Sequence, residues 1–360
     1  MEIPGIEHEQ PVDSYLRLVF TNSAATPWSP AGHILTDGEV QLTKPASLRL
    51  LRDITHRPTQ PLKVELTSTV LSIISNHGPS WKFDLLRGTL VSWQRLEEGS
   101  ESLSPNILTE PLHFDIYRAQ TDNDNGCDFG RNWRDRRLHQ AKHHLIQSSW
   151  HQREDGIVEV ITESRIAPPV LNWALEVTTT YHFAADHIYI QVHAKPTGNL
   201  LPRAWGRLGL ATALAGCENV HWYGRGPGES YRDKKLSQRV GNWQMHADHL
   251  MTDYEFPQEN GNRTDVRWVE FVTDTPTPRR LLRARYGDFE GAGFSALRYA
   301  AADLDAAQHP YELRERKRED LVVHLDWMHH GLGTGSCGPE TLPEYTLDAS
   351  REYQFEVVLD

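Results

Sequence analysis

Val220-His221-Trp222-Tyr223-Gly224-Arg225-Gly226-Pro227-Gly228-Glu229-Ser230-Tyr231-Arg232-Asp233-Lys234-Lys235 packs three glycines, a proline, three aromatic rings and four cationic side chains into sixteen residues. Glycine and proline break helices and central strands, so the stretch reads as neither. It is too aromatic for a disordered linker. The expectation is an ordered loop. Gly224, Gly226 and Gly228 would supply unusual backbone angles and close approach, and Trp222, Tyr223 and Tyr231 would pin the loop to a β scaffold. Ordered, charged, aromatic loops commonly carry binding surfaces.

The flanking sequence supports that scaffold. Leu175, Val177, Thr179, Tyr181 and Phe183 fall on one face of a strand, with Glu176, Thr178, Thr180 and His182 on the other. A turn at 184–186 leads to Ile188, Ile190, Val192 and Ala194 on the next buried face. Trp81, Phe83 and Leu85 alternate, Arg87-Gly88 turns, and 90–93 returns, the signature of a hairpin. Residues 14–21, 41–51 and 157–161 read as further strands, and Tyr353, Phe355, Val357 and Leu359 as a last one. Helical periodicity is weak throughout, and the best helical candidate lies at 131–144. The pattern is that of an all-β chain forming a large sandwich. Residues 1–60 hold too few strands for a sandwich of their own, and Pro58 and Pro61 mark a linker.

The bulk properties exclude several classes. With 37 Lys and Arg against 49 Asp and Glu, the formal charge is -12, which disfavours tracking of nucleic-acid phosphates. The N-terminus has neither a basic nor an apolar signal region, and no apolar run has the length of a membrane span. Cys127, Cys217 and Cys337 are few and far apart, so neither a disulfide framework nor a cysteine zinc site is expected, and a cytoplasmic setting fits. Most of the eleven tryptophans should be core side chains, although an indole face also stacks well on sugars.

Isolated chemical motifs are weak. His139 and His143 have metal-ligand spacing but sit among Arg134, Arg136, Arg137 and Lys142, so a solvated face is the better reading. His329-His330 reads equally as a pocket wall or a strand end. Asp122-Asn123-Asp124-Asn125-Gly126 resembles half of a calcium loop, but Asn132 stands where the bidentate Glu belongs. An Asx-rich turn facing a cleft is the better reading. Gly226-x-Gly228 lacks the remainder of either phosphate-loop fingerprint. Cys337 occupies a glycine-rich loop and reads as small and apolar rather than as a nucleophile.

Taken together in order, the motifs resemble a known family. Arg118-Ala119-x-x-Asp122-Asn123-Asp124-x-Gly126, then Trp222-Tyr223-Gly224-x-Gly226-Pro227-x-Glu229-x-Tyr231-x-Asp233, then Pro257-Gln258-Glu259-Asn260-Gly261-x-Arg263, then Asp326-Trp327-Met328-His329-His330-Gly331-Leu332-Gly333 through Cys337-Gly338-Pro339 resemble the C-terminal portion of glycoside hydrolase family 2 β-galactosidases. Pro27-Trp28-Ser29-x-Ala31-Gly32-His33 resembles the closing strands of the immunoglobulin-like sandwich that precedes it. The resemblance implies an antiparallel supersandwich of galactose-mutarotase-like fold over 63–360, the small-chain domain, with 1–62 a remnant of the earlier sandwich plus linker. It implies that catalysis belongs to a TIM barrel in a large chain, where two glutamates stand about 5–5.5 Å apart. Neither glutamate motif occurs here, nor is there room for about 250 residues of barrel. The chain alone is therefore expected to be inactive. Magnesium and sodium are expected only in the complete enzyme, and no cofactor in this chain. The implied partners are the large chain, a galactoside such as lactose, and a second copy of the assembly.

The same resemblance assigns Asp122, Asn123, Asp124, Asn125 and Gly126, with His329, His330 and Cys337, to the rim of the sugar pocket. It assigns Gly226, Pro227, Glu229, Tyr231, Asp233, Glu259, Asn260, Gly261 and Arg263 to a structural lock. In that lock Arg225, Glu229 and Asp233 are expected to bind one another and backbone. The alternatives are a stand-alone sugar-binding module and an aldose epimerase, the latter using His329 or His330 with Glu259.

Overall fold

Twenty strands carry the fold of the computed structural model, which describes residues 13–43, 61–76, 78–96 and 102–360. The described residues fall into two compact units, one within 1–49 and one within 50–360. In the first, β1 (Ser14–Thr21) pairs antiparallel with β2 (Ile34–Thr43). The strand read over 41–51 is therefore the end of β2, and 44–51 lies outside the described residues, as does most of the linker. The hairpin leaves Leu18, Phe20 and Leu35 at 50%, 56% and 63% exposure.

The second unit is a sandwich of two nine-stranded antiparallel sheets. One runs β14 (Arg239–His246), β13 (Asn219–Gly226), β16 (Trp268–Val272), β17 (Arg280–Tyr286), β20 (Tyr353–Leu359), β11 (Ile188–Gly198), β10 (Trp173–Phe183), β9 (Val158–Ala167) and β8 (Lys142–Gln152). The other runs β15 (Arg263–Thr264), β18 (Gly293–Leu297), β19 (Leu321–His329), β12 (Arg207–Leu214), β7 (Leu108–Asp115), β6 (Thr89–Arg95), β5 (Pro79–Asp84), β4 (Val70–Ile74) and β3 (Lys63–Thr67). Alternation buries one face of each sheet against the other. Phe83 meets Tyr181 at 5.0 Å between ring centroids, Phe114 stacks on Phe355 at 5.9 Å, and Trp222 meets Phe294 edge-on at 5.6 Å. Six of the tryptophans are wholly buried in this core.

Three readings of the sequence need correction. The helix expected at 131–144 is α2 (Asp128–Asp135), which follows the single turn α1 (Asp122–Asn125). Arg137 takes a left-handed φ of 54 and stops it, so His139 lies in a 3-10 turn and His143 already on β8. Asp122–Asn125 is thus a capped helical turn rather than an Asx turn. Finally, 219–226 is strand, and only from Pro227 onward does the stretch leave the sheet. Gly224 and Gly226 serve close approach alone: a Cβ would lie 2.8 Å from Val266 Cα and 2.7 Å from the Trp243 ring, respectively. Neither has a positive φ.

Candidate functional site

All four motifs reach one open polar cleft of about 650 Å³, the last of them through Leu332 and Ser336. Its first wall is α1. Thr121 caps that turn: its hydroxyl accepts from Asp124 N at 3.3 Å, and its own amide donates back to the Asp124 carboxylate at 2.8 Å. This reciprocal cap turns Asp124 inward, where Arg118 donates to both of its oxygens at 2.7 and 3.0 Å. Both side chains are buried, and the guanidinium also lies 4.9 Å from the centre of the Trp133 ring. Asp122 and Asn123 are left on the cleft side. Asp122 exchanges hydrogen bonds with Gln258, and Asn123 holds Gly333 O at 3.1 Å and the Ser336 hydroxyl at 2.7 Å.

The second wall is the segment after β13. Arg225 does not pair with Glu229 or Asp233 as expected, whereas both carboxylates do take backbone amides. Each reaches a different neighbour. Asp233 accepts from the amides of Leu332 and Gly333 at 3.0 and 2.7 Å. Glu229 accepts from the Gly261 amide and the Thr252 hydroxyl, both at 2.9 Å, and from the Tyr254 hydroxyl. Arg225 pairs with Asp265 at 2.6 Å, and Lys235 shares that carboxylate. The third wall, 258–263, is fixed in turn. Gly261 has a φ of +75, Asn260 ties Thr252 N to Gln258 O, and Arg263 donates to Leu250 O, Gly261 O and Pro227 O.

Behind the floor lies a buried charge network. Arg207 donates to both oxygens of Glu259 at 3.3 Å, His329 Nε2 lies 3.5 Å from Glu259, and the Tyr231 hydroxyl donates to Glu259 at 3.4 Å. Burial would raise the Glu259 pKa, but Arg207, His329 and Arg118 together hold it down at about 2. Burial pushes both histidines below their ordinary value. His330 packs edge-on against Phe129 at 4.6 Å and accepts from the Leu347 amide.

Of the expected rim residues, the cleft therefore gathers Asp122 and Asn123. Asp124, His329 and His330 are buried behind it, because each has a partner in the core. Cys337 is exposed in the turn that begins at Thr334, beside the cleft residue Ser336. Glu229, Tyr231 and Glu259, assigned to the structural lock, also line the cleft, with Lys234, Tyr254 and Gln258, which had not been singled out. The motif Pro257-Gln258-Glu259 was the available signal for Gln258. The arrangement offers donors and acceptors suited to sugar hydroxyls. Glu259, ionised and held by Arg207, is neither a proton donor nor a strong base at neutral pH, which weakens its pairing with His329 as an epimerase couple. Among the described residues no group of three or more His, Cys, Asp or Glu side chains could hold a metal.

The chain is 28% identical over 373 residues to the β-galactosidase of Kluyveromyces lactis, covering 99% of this chain and 33% of that protein. It is 29% identical over 370 residues to the β-galactosidase of Arthrobacter sp. strain B7, covering 96% and 33%. It thus spans about a third of the length of these curated relatives. Among solved structures, a galactose mutarotase-like protein from Clostridium acetobutylicum aligns with a TM-score of 0.39 at 8% identity, covering 84% of this chain and 98% of that one. A putative aldose 1-epimerase from Escherichia coli K12 aligns with 0.39 at 9%, covering 83% and 98%. Residues 75–359 match the model of the family described as beta galactosidase small chain. The chain belongs to the β-galactosidase small-chain family.

Proposed function

We propose that this chain is the small-chain part of a β-galactosidase that hydrolyses terminal β-galactosides such as lactose. In this reading it forms one rim of the sugar pocket and braces the assembly, while a large chain supplies the catalytic barrel with its magnesium and sodium. The observation that carries the reading is the cleft: four family motifs meet there, yet Glu259 is committed to Arg207. A retaining glycosidase needs one carboxylic acid held protonated beside a second, nucleophilic carboxylate, and Glu259 at about pKa 2 is the opposite of that acid. The exposed apolar hairpin β1–β2 supports a partner that completes a sandwich. A cytoplasmic location goes with this reading. Among the described residues no helix is long and apolar enough to cross a membrane.

The test is co-expression with a barrel-bearing large chain. A stable complex that hydrolyses a chromogenic β-galactoside, with KM raised by Asp122→Ala or Lys234→Ala, is expected. No complex, or a complex without hydrolysis, overturns the reading.

A further inference from the structure

A second cavity, of about 480 Å³, lies on the outer face of the sheet that contains β10, β11 and β20. The pairing register builds its wall. Thr178 stands opposite His193 and Thr180 opposite Gln191, while on the other side of β11 His193 faces Gln354 and Gln191 faces Glu356. Six polar side chains from three adjacent strands therefore form an array two residues deep and three strands wide. Cross-strand neighbours sit about 5 Å apart and i, i+2 neighbours about 7 Å apart, dimensions that match the hydroxyls of one or two pyranose rings. The intervening residues, such as Val177, Val192 and Phe355, point into the core.

One side of this array opens inward. β17 pairs with β20 only from Ala284↔Leu359 to Tyr286↔Val357, so among the described residues no strand pairs with 353–356 on the side away from β11. Asp288 and the indole of Trp327, which comes from β19 in the opposite sheet, line the cavity at that opening. Trp327 is half-buried, stacked on Phe355 at 5.8 Å and 10° and edge-on to Tyr353. These contacts hold the indole in one orientation. Hydrogen-bonding capacity remains in the wall. Thr178, Thr180 and Gln354 make no side-chain hydrogen bond to a described residue, and Gln191 uses only its oxygen, toward His182 at 3.4 Å.

We infer that this array and the Trp327 indole form a binding site for a neutral mono- or disaccharide. The chemistry points there. Neutral hydroxyl and amide groups predominate, an aromatic ring contributes the apolar surface, and Asp288 and Glu356 disfavour a phosphate or other anion. The volume lies within the range of small-molecule sites. The inference stands apart from the motif cleft, whose residues do not line this cavity.

The test is calorimetric titration of the 360-residue chain with galactose, lactose, maltose and cellobiose. Binding of at least one at millimolar concentration or below is expected. Gln191→Ala and Gln354→Ala, both at exposed positions on the outer face, should each weaken it about 5-fold and leave the melting curve unchanged. Trp327→Leu should abolish it, but its partly buried ring also supports the core, so the glutamine variants carry the test. Gln147→Ala, at an exposed position on β8 that lines neither cavity, should have no effect, and Asp122→Ala and Lys234→Ala in the motif cleft separate binding there from binding at the array. No binding of any of the four sugars at about 10 mM overturns the inference. So does binding that is lost in the cleft variants and kept in the glutamine variants.

Discussion

Replacing Asp124 by Asn isolates the buried pair that orients the first cleft wall. The carboxylate accepts from both Arg118 nitrogens, from Thr121 N and from the Thr121 hydroxyl. An Asn of the same shape keeps one acceptor oxygen. Its amide nitrogen then faces an N–H donor, and the Arg118 guanidinium, wholly buried, loses its paired negative charge. Removing one partner of a buried ion pair costs about 3–5 kcal/mol, far above the roughly 1 kcal/mol of the helix cap alone. In a chain of this size that corresponds to a fall in Tm of about 4–7 °C. Urea denaturation followed by far-UV circular dichroism measures it. Asp122→Asn, on the exposed side of the same turn, is the control and should change stability by less than about 0.5 kcal/mol. If Asp124→Asn stays within about 1 kcal/mol of the parent, the pair does not hold this turn, and the assignment of Asp124 to the core side of the wall fails.

Other consequences follow from the same region. Glu259, with its pKa lowered to about 2, contributes stability that is fully present above the unfolded value near 4.5 and lost as pH falls toward 2; acid denaturation should flatten in that window in Glu259→Gln. Asp326 behaves oppositely, because burial, with Glu259 and Asp115 nearby, raises its pKa to about 7. Its contribution is present below about pH 4 and lost as pH rises to 7, so Asp326→Asn should stabilise the fold at pH 8, by of order 4 kcal/mol at most, and not at pH 4. A Cβ at Gly335 would lie 2.5 Å from Asn123 O and 2.9 Å from Cys127 Cβ; Gly335→Ala should therefore displace the loop and raise KM in the reconstituted enzyme, and an unchanged KM would remove the loop from the rim. Cys337→Trp adds a stacking surface beside the cleft and should lower KM for lactose in the same assembly.

The strands were legible wherever one face is buried. Leu175 to Phe183 and Ile188 to Ala194 alternate because each sheet has a core side and a solvent side, and the Trp81–Trp93 hairpin follows the same rule. The helices were not, because α1 and α2 are only four and eight residues long and are set by a cap and by partners, not by periodicity. Thr121-x-x-Asp124 was a legible capping box, masked by its likeness to a calcium loop. Gly224 and Gly226 misled for a physical reason: close approach within a sheet and turn formation ask for the same residue. The motifs located the cleft but could not say which side chains face it. Asp124 and Asp122 are two residues apart, and Arg118, distant in neither sequence nor space, decides between them.

The stretch at 220–235 owes its place in the site to what its carboxylates do not do. Glu229 holds 252–261, Asp233 holds the amides of 332–333, and Asp265 is occupied by Arg225 and Lys235. Glu259 and Asp124 are likewise consumed by Arg207 and Arg118. Among these cleft-building carboxylates only Asp122, whose one side-chain partner is the Gln258 amide at 3.3 Å, keeps most of its accepting capacity for a ligand. A retaining glycosidase needs two carboxyl groups free at the bond it cleaves. A wall needs carboxyl groups spent on rigidity, with a few neutral and charged groups left over to recognise hydroxyls. Placing an anion opposite each amide or arginine of the neighbouring loop makes three distant segments behave as one surface, so a perturbation at any of them should be felt as loss of shape before loss of chemistry.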